Sequence, residues 1–281
     1  MKILGIETMR KYERYVNKLI LLVVPLLKRT YVKLMLPVMF LLVWEIAAHV
    51  INNEVSFPTI ESIFHWFLTP LKNNFTVGSI LENSGVSILR VGLGFVTACV
   101  IAVPLGVLIG SHPSLERFSD GLIQILRPIP PLAWIPLSLV WFGISMKSIV
   151  FIIVIGCIFP ILVSTIDGVK RVKKSWLETA KIYQANSQQI MTRVTLPAAL
   201  PAIWNGLRIG FGIAWMSVVA AEMVPGSTTG LGYMIYNAFT TYSQLSLSIA
   251  GMVCIGIIGI VMDLAFKLVQ KKKFAWEVLD K

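Results

Sequence analysis

Six stretches of nearly unbroken apolar sequence alternate with polar, charge-bearing connections along this 281-residue chain. They run at about 34–51, 91–109, 128–146, 148–166, 204–224 and 245–266. A helix needs about 20 apolar residues to cross a hydrocarbon core of roughly 30 Å, so each stretch predicts a membrane span. Glu45 and His49 interrupt the first and Asp263 falls near the end of the last, while the second and third carry no charge. Two further segments are patterned as helices that do not cross. Residues 57–73 set Phe64, Trp66 and Phe67 among polar residues, which predicts an amphipathic helix on the outer surface. In residues 1–30 the apolar run from Leu19 to Leu27 is short for a span, Glu7 and Glu13 spoil a positive leader, and no small-x-small cleavage site follows. Tyr12, Tyr15, Val16, Leu19 and Ile20 fall near one helical face there, so the pattern predicts an interfacial helix.

The connection 167–203 is polar and too long for a simple turn, and long connections of that kind tend to be functional. Trp176, Ala180 and Tyr183 share one helical face, and a second helical run follows from about Ser187 to Leu196. Pro197 and Pro201 are expected to break or redirect the chain, because proline lacks the amide donor and clashes with the preceding turn. Two short helices projecting from the membrane form a knob suited to a partner's groove.

Composition sharpens this picture. Charged residues are 14% of the chain and apolar ones 56%, against roughly 25% charged in a soluble domain, so lipid must serve as part of the solvent. The net charge of +11 does not mark a nucleic-acid binder, since the charges cluster between apolar stretches and form no basic face interleaved with aromatics. They do set topology, because Lys and Arg concentrate in cytoplasmic loops. Eight basic residues precede the first stretch; Arg117 and Arg127 lie in the 110–127 connection, six more in 167–203, and Lys271, Lys272 and Lys273 near the end. The other side keeps Lys72, Arg90 and Lys147. Both termini are therefore expected in the cytoplasm, with residues 31–270 as the membrane domain and 271–281 as a basic tail. Cys99, Cys157 and Cys254 stand singly in apolar sequence, with no metal-ligand spacing.

The run Glu178-Thr179-Ala180, three residues, Gln184, nine residues, then Val194-Thr195-Leu196-Pro197 resembles the EAA signature of binding-protein-dependent ABC import permeases, which reads E-A-A, three residues, G, nine residues, I-x-L-P. Thr179, Gln184 and Val194 depart from it; the missing glycine predicts a locally different turn. Arg127-Pro128-Ile129-Pro130-Pro131-Leu132, Leu196–Pro201, Gly206-Leu207-Arg208, Ala220-Ala221-Glu222-Met223 and Gly230-Leu231-Gly232-Tyr233 are similar to the branch that imports sulfonates, taurine and nitrate. The resemblance covers roughly residues 80–270. It implies an all-α type I importer permease fold and alternating access for a small anion. It also implies docking on an ATPase through Glu178, Thr179, Ala180, Gln184, Ala185, Val194, Leu196 and Pro197. The implied partners are two ABC ATPase subunits, an extracytoplasmic solute-binding protein and a second permease copy, within the cytoplasmic membrane. ATP and Mg are expected on the ATPase, since the chain has no G-x-x-x-x-G-K-[ST] run and Gly226–Gly230 lacks the lysine. The chain itself is expected to hold no cofactor and catalyse no reaction.

Four residues are candidates for the path or its gate: Pro130 and Pro131, whose breaks free backbone carbonyls, Trp134, and Glu222, since an intramembrane charge costs about 2.5–3.5 kcal/mol or more. Gly206 and Gly210, with Ala214 a turn on, have the spacing of a close helix contact. An ion-coupled transporter or channel would carry relayed intramembrane carboxylates and inverted repeats. A membrane enzyme would gather its histidines, and His49, His65 and His112 are scattered.

Overall fold

The computed structural model describes residues 35–72, 77–224 and 226–274, and their regular structure is helical throughout. The predicted helix within 1–30 and residues 275–281 of the predicted tail lie outside them. In chain order the helices are α1 (Met35–Ile51), α2 (Ile60–Leu68), α3 (Ile80–Ser111), α4 (Pro113–Leu126), a 3-10 turn (Pro131–Trp134) leading into α5 (Ile135–Phe142), and α6 (Met146–Lys170). Then come α7 (Lys174–Ile182), α8 (Ser187–Ile190), a π turn (Met191–Thr195), α9 (Leu196–Glu222), α10 (Leu231–Thr240) and α11 (Leu245–Lys273). Among the described residues α3, α6, the continuous run Ser187–Glu222 and α11 are long and apolar enough to cross a membrane. Pro113–Leu126 with Pro131–Phe142 makes a fifth span bent by 88°, and α1 is a shorter apolar helix.

Four expectations need correction. The second span starts at Ile80, well before residue 91, because Ser79 caps it by accepting the Glu82 N–H at 3.1 Å. Arg90 is therefore inside the helix and not in an outer connection. The stretch 128–146 is not one helix. Pro128, Pro130 and Pro131 contribute no amide donors, so the chain turns between α4 and the 3-10 turn, and most of the supposed connection 110–127 is α4 itself.

Third, Pro197 and Pro201 do not break the chain. The π turn ends on a wide bond from the Leu196 N–H to the Met191 carbonyl, and that widening makes room for the Pro197 ring at the start of α9. Pro201 lies within α9, where its ring leaves the Pro197 carbonyl without the usual amide donor. Fourth, Lys271, Lys272 and Lys273 belong to the last turn of α11, where cations suit the negative end of the helix dipole.

The described residues divide between Phe64 and His65 into two compact units. In the first, the Glu45 carboxylate accepts the Ile60 N–H at 2.9 Å, Trp44 donates to the Pro58 carbonyl at 3.1 Å, and Trp44 stacks on Phe57. Glu45 thus completes the start of α2. In the second, α6 is the core: Ile152, Ile153, Cys157 and Ile161 are almost wholly buried between α3 and α9.

Lipid gives no hydrophobic drive for one apolar helix to join another, so close packing has to supply it. Gly94 and Gly106 of α3 press on Ile153 and Thr165 of α6, while Gly206 and Gly210 of α9 press on Ser164 and Ile161. The expected packing role of Gly206 and Gly210 is what the helices show. A side chain at Gly206 would overlap Ser164, whereas one at Gly212 meets nothing within 4 Å. Gly206→Leu is expected to cost about 1–3 kcal/mol and Gly212→Ala almost nothing, read as the thermal midpoint of the detergent-solubilised protein.

Candidate functional site

Three sites are built on this frame. The first is built on α7, α8 and the π turn. α7 stops in two reverse bonds, Gln184 N–H to the Lys181 carbonyl at 2.9 Å and Ala185 N–H to the Ala180 carbonyl at 3.1 Å. Together they form a Schellman turn. Gln184 sits at its left-handed position with φ +57°. The turn expected to differ without a glycine is therefore the ordinary one, made by glutamine at a backbone cost of about 1 kcal/mol. A capping box at Asn186 and Gln189 starts α8 directly after it, so the two short helices meet at a rigid corner.

Thr179, Ala180, Val194 and Pro197 come together with Trp176 and Trp204 around an apolar groove of about 930 Å³, with Arg193 and Lys273 also on its walls. Glu178, Gln184 and most of α7 are exposed, and Ala185 is half-buried. Leu196 packs on the core group of Val169, Ala199 and Ile203. Two residues the motif did not supply stand out at the tip: Ile182 is 79% exposed and Tyr183 82%. Their signal in the sequence was an apolar pair immediately before the turn, with Tyr183 on the helical face of Trp176 and Ala180.

The second site is a buried charge cluster. Arg90 of α3 reaches Glu222, the last residue of α9, with Nη1 at 2.8 Å from Oε1. Glu222 has no exposed surface. Its carboxylate also accepts from Ser87 Oγ at 2.8 and 3.0 Å and from the Gly232 N–H at 3.1 Å. Arg90 donates further to the Thr229 carbonyl and hydroxyl at 2.6 and 3.0 Å. Asn83 accepts the Gly230 N–H, and Ser87 the Leu231 N–H, at 2.8 and 2.9 Å.

The sequence motifs around Glu222 and Gly230 meet here. Gly230, at φ +113°, has no room for a side chain because its place is taken by the Glu222 carboxyl, and a side chain on Gly232 would strike the Val219 carbonyl. The cluster fastens the first turns of α3, the end of α9 and the start of α10 to one another. Glu222, an expected path or gate residue, lies enclosed within it. In the sequence Arg90 is only a marker of topology, since nothing local pairs it with a residue 132 positions away.

The third site is the elbow between α4 and α5. Pro130 and Pro131 line a cavity of about 270 Å³ with Arg127, Gly156, Phe159 and Ile209. Trp134 lies in the adjoining 3-10 turn, and its indole Nε1 is buried with no hydrogen-bond partner among the described residues. No group of metal ligands occurs among the described residues.

Residues 102–274 match a family model described as binding-protein-dependent transport system inner membrane component. A Methanocaldococcus jannaschii protein named as an ABC transporter permease is 44% identical over 90% of this chain and 95% of its own length. A Bacillus subtilis protein named as an aliphatic sulfonates transport permease is 32% identical over 86% of each chain. A Synechocystis nitrate import permease is 33% identical over 79% of this chain and 82% of its own. The structure resembles the MetNI methionine ABC transporter, with TM-score 0.59, 20% identity, and coverage of 66% of this chain and 92% of the other. That likeness extends to the type I importer permease fold.

Removing one member of the Arg90–Glu222 pair leaves a buried charge unanswered. Arg90→Ala is expected to destabilise by about 3–5 kcal/mol, with part regained in Arg90→Met/Glu222→Met, both read as thermal midpoints in detergent. Gln184→Gly is expected to relieve about 1 kcal/mol of left-handed strain, read as slower amide hydrogen exchange across α7.

Proposed function

The chain belongs to the family of binding-protein-dependent transport system inner membrane components, and we propose that it conducts a small anion under the drive of an ATPase docked on α7. It is the non-catalytic transmembrane permease subunit of an ABC importer. The small-anion reading is supported by the two relatives named for their cargo: an aliphatic sulfonate and nitrate differ in size and in organic content, and share an oxyanion group. The observation that carries the docking reading is the exposed apolar tip of α7, Ile182 and Tyr183, held on a Schellman turn. Exposed apolar side chains at a rigid corner suit a partner's groove better than open water.

The drive proceeds as a lever. ATP closes a pair of ATPase subunits, the docked α7 helices move together, and the spans tilt to open the path outward; hydrolysis returns them. ATP and Mg stay on the ATPase. One chain supplies half of such a path, so a second copy completes it, and an extracytoplasmic solute-binding protein delivers the anion. The placement of Lys170, Arg171, Lys173 and Lys174 beside α7, and of Lys271–Lys273 at the end of α11, supports an assembly with α7 and the C-terminus in the cytoplasm.

Glu178→Lys and Tyr183→Asp are each expected to abolish co-purification of the ATPase from native membranes while the chain still inserts. Wild-type recovery of the ATPase by either variant, measured by quantitative mass spectrometry, sinks the docking assignment.

A further inference from the structure

Among the described residues, one arginine at the elbow has no ion-pair partner. The two arginines of the membrane helices that are buried or half-buried are paired. Arg90 is paired with Glu222, and Arg208 is paired with Asp263 at 2.6 Å. Arg127 makes no ion pair among the described residues. Its backbone N–H closes α4 on the Ile123 carbonyl at 2.9 Å, and the carboxylates of α4 are engaged elsewhere. Glu116 is held by Lys170, and Asp120 accepts from Gln124 at 2.7 Å.

The cavity that Arg127 lines reaches Phe159 and Pro160 of α6 and Ile209 of α9, near the middle of Met146–Lys170 and Leu196–Glu222. By the lengths of those helices the cavity lies near mid-depth. Arg127 lines this cavity while remaining exposed, and a guanidinium that reaches such depth is costly unless something pairs with it. Discontinuous membrane helices commonly build solute sites at that level.

We infer that the elbow cavity is an anion station of the transport path, in which the Arg127 guanidinium receives the oxyanion group of the solute. The inference rests on the small-anion reading above and gives it a residue. The guanidinium offers paired N–H donors that match two oxygens of a nitrate, carboxylate or sulfonate at once. Phe159 and Ile209 present apolar surface to any organic part. The volume, about 270 Å³, falls just below the roughly 300–1,000 Å³ of sites for drug-sized ligands and so suits a small solute. The prolines have a part in this: by breaking the span beside Arg127 they open the cavity and keep α4 from running on past it.

The test uses the permease–ATPase complex in nanodiscs, with labelled nitrate and ethanesulfonate as probes, chloride as background and urea as the uncharged control. Saturable binding of at least one anion is expected in the wild type. It should weaken at least tenfold in Arg127→Gln and less in Arg127→Lys, which keeps the charge but not the paired donors. It should also weaken in Val163→Phe, which fills the cavity and leaves the charge in place; this variant decides the matter if Arg127→Gln fails to assemble. Wild-type affinity in Arg127→Gln, or in Val163→Phe, overturns the station, as does a wild-type complex that imports either anion but binds none saturably. Import assays with the binding protein separate the two levels. Uptake of an anion with affinity unchanged by Arg127→Gln removes the station alone, whereas uptake of only uncharged or cationic solutes removes the small-anion reading with it.

Discussion

Hydrocarbon offers no hydrogen-bond partner, so a polar group that this chain takes into the membrane is costly unless it is answered from within the chain or faces a cavity. The Arg90–Glu222 pair is where that constraint acts hardest. Two opposite charges are withdrawn from solvent, and two helices and the start of a third are committed to one arrangement to satisfy them. Glu222 accepts from a hydroxyl, a guanidinium and a backbone amide, and Ser87 passes the network on to Leu231. Such a fully answered network leaves little freedom to slide. With the first part of α3 and the end of α9 fastened there, α6 can lie between them and pack through small residues along both faces.

The same constraint gives the backbone breaks their meaning. An unbroken helix satisfies its own amides and carbonyls, while the elbow at Pro128–Pro131 and the π turn at Met191–Thr195 do not do so in the usual way. Both irregularities border a cavity or groove: the elbow opens onto the chamber lined by Arg127, and Val194 of the π turn lines the groove behind α7. They are linked through rigid elements. α7 is joined to the end of α6 on one side and, through α8 and the π turn, to the start of α9 on the other. Those two helices also wall the elbow chamber. α7 is therefore connected through both neighbours to two walls of that chamber, and the Arg90–Glu222 cluster holds the far end of α9.

The apolar stretches and the motif at Glu178–Pro197 were legible in the chain because each is a local pattern: enough consecutive apolar residues make a span, and a fixed spacing of residue types marks the motif. Each of the six stretches falls on a helix or a helix pair, and the family is the one the motifs resembled. The glycines at 206 and 210 were legible too, since small residues one turn apart have a packing meaning whatever lies opposite. Tertiary structure alone decided that Arg90 joins Glu222, that Arg127 finds no ion-pair partner among the described residues beside its cavity, that prolines at 197 and 201 sit within a helix while those at 128–131 bend one, and that Gln184 adopts a glycine's conformation. These outcomes depend on groups far apart in sequence or on how a neighbouring turn relaxes. The cost of a buried charge or a missing amide is fixed by the residue itself, but what offsets that cost is fixed only by what the fold brings beside it.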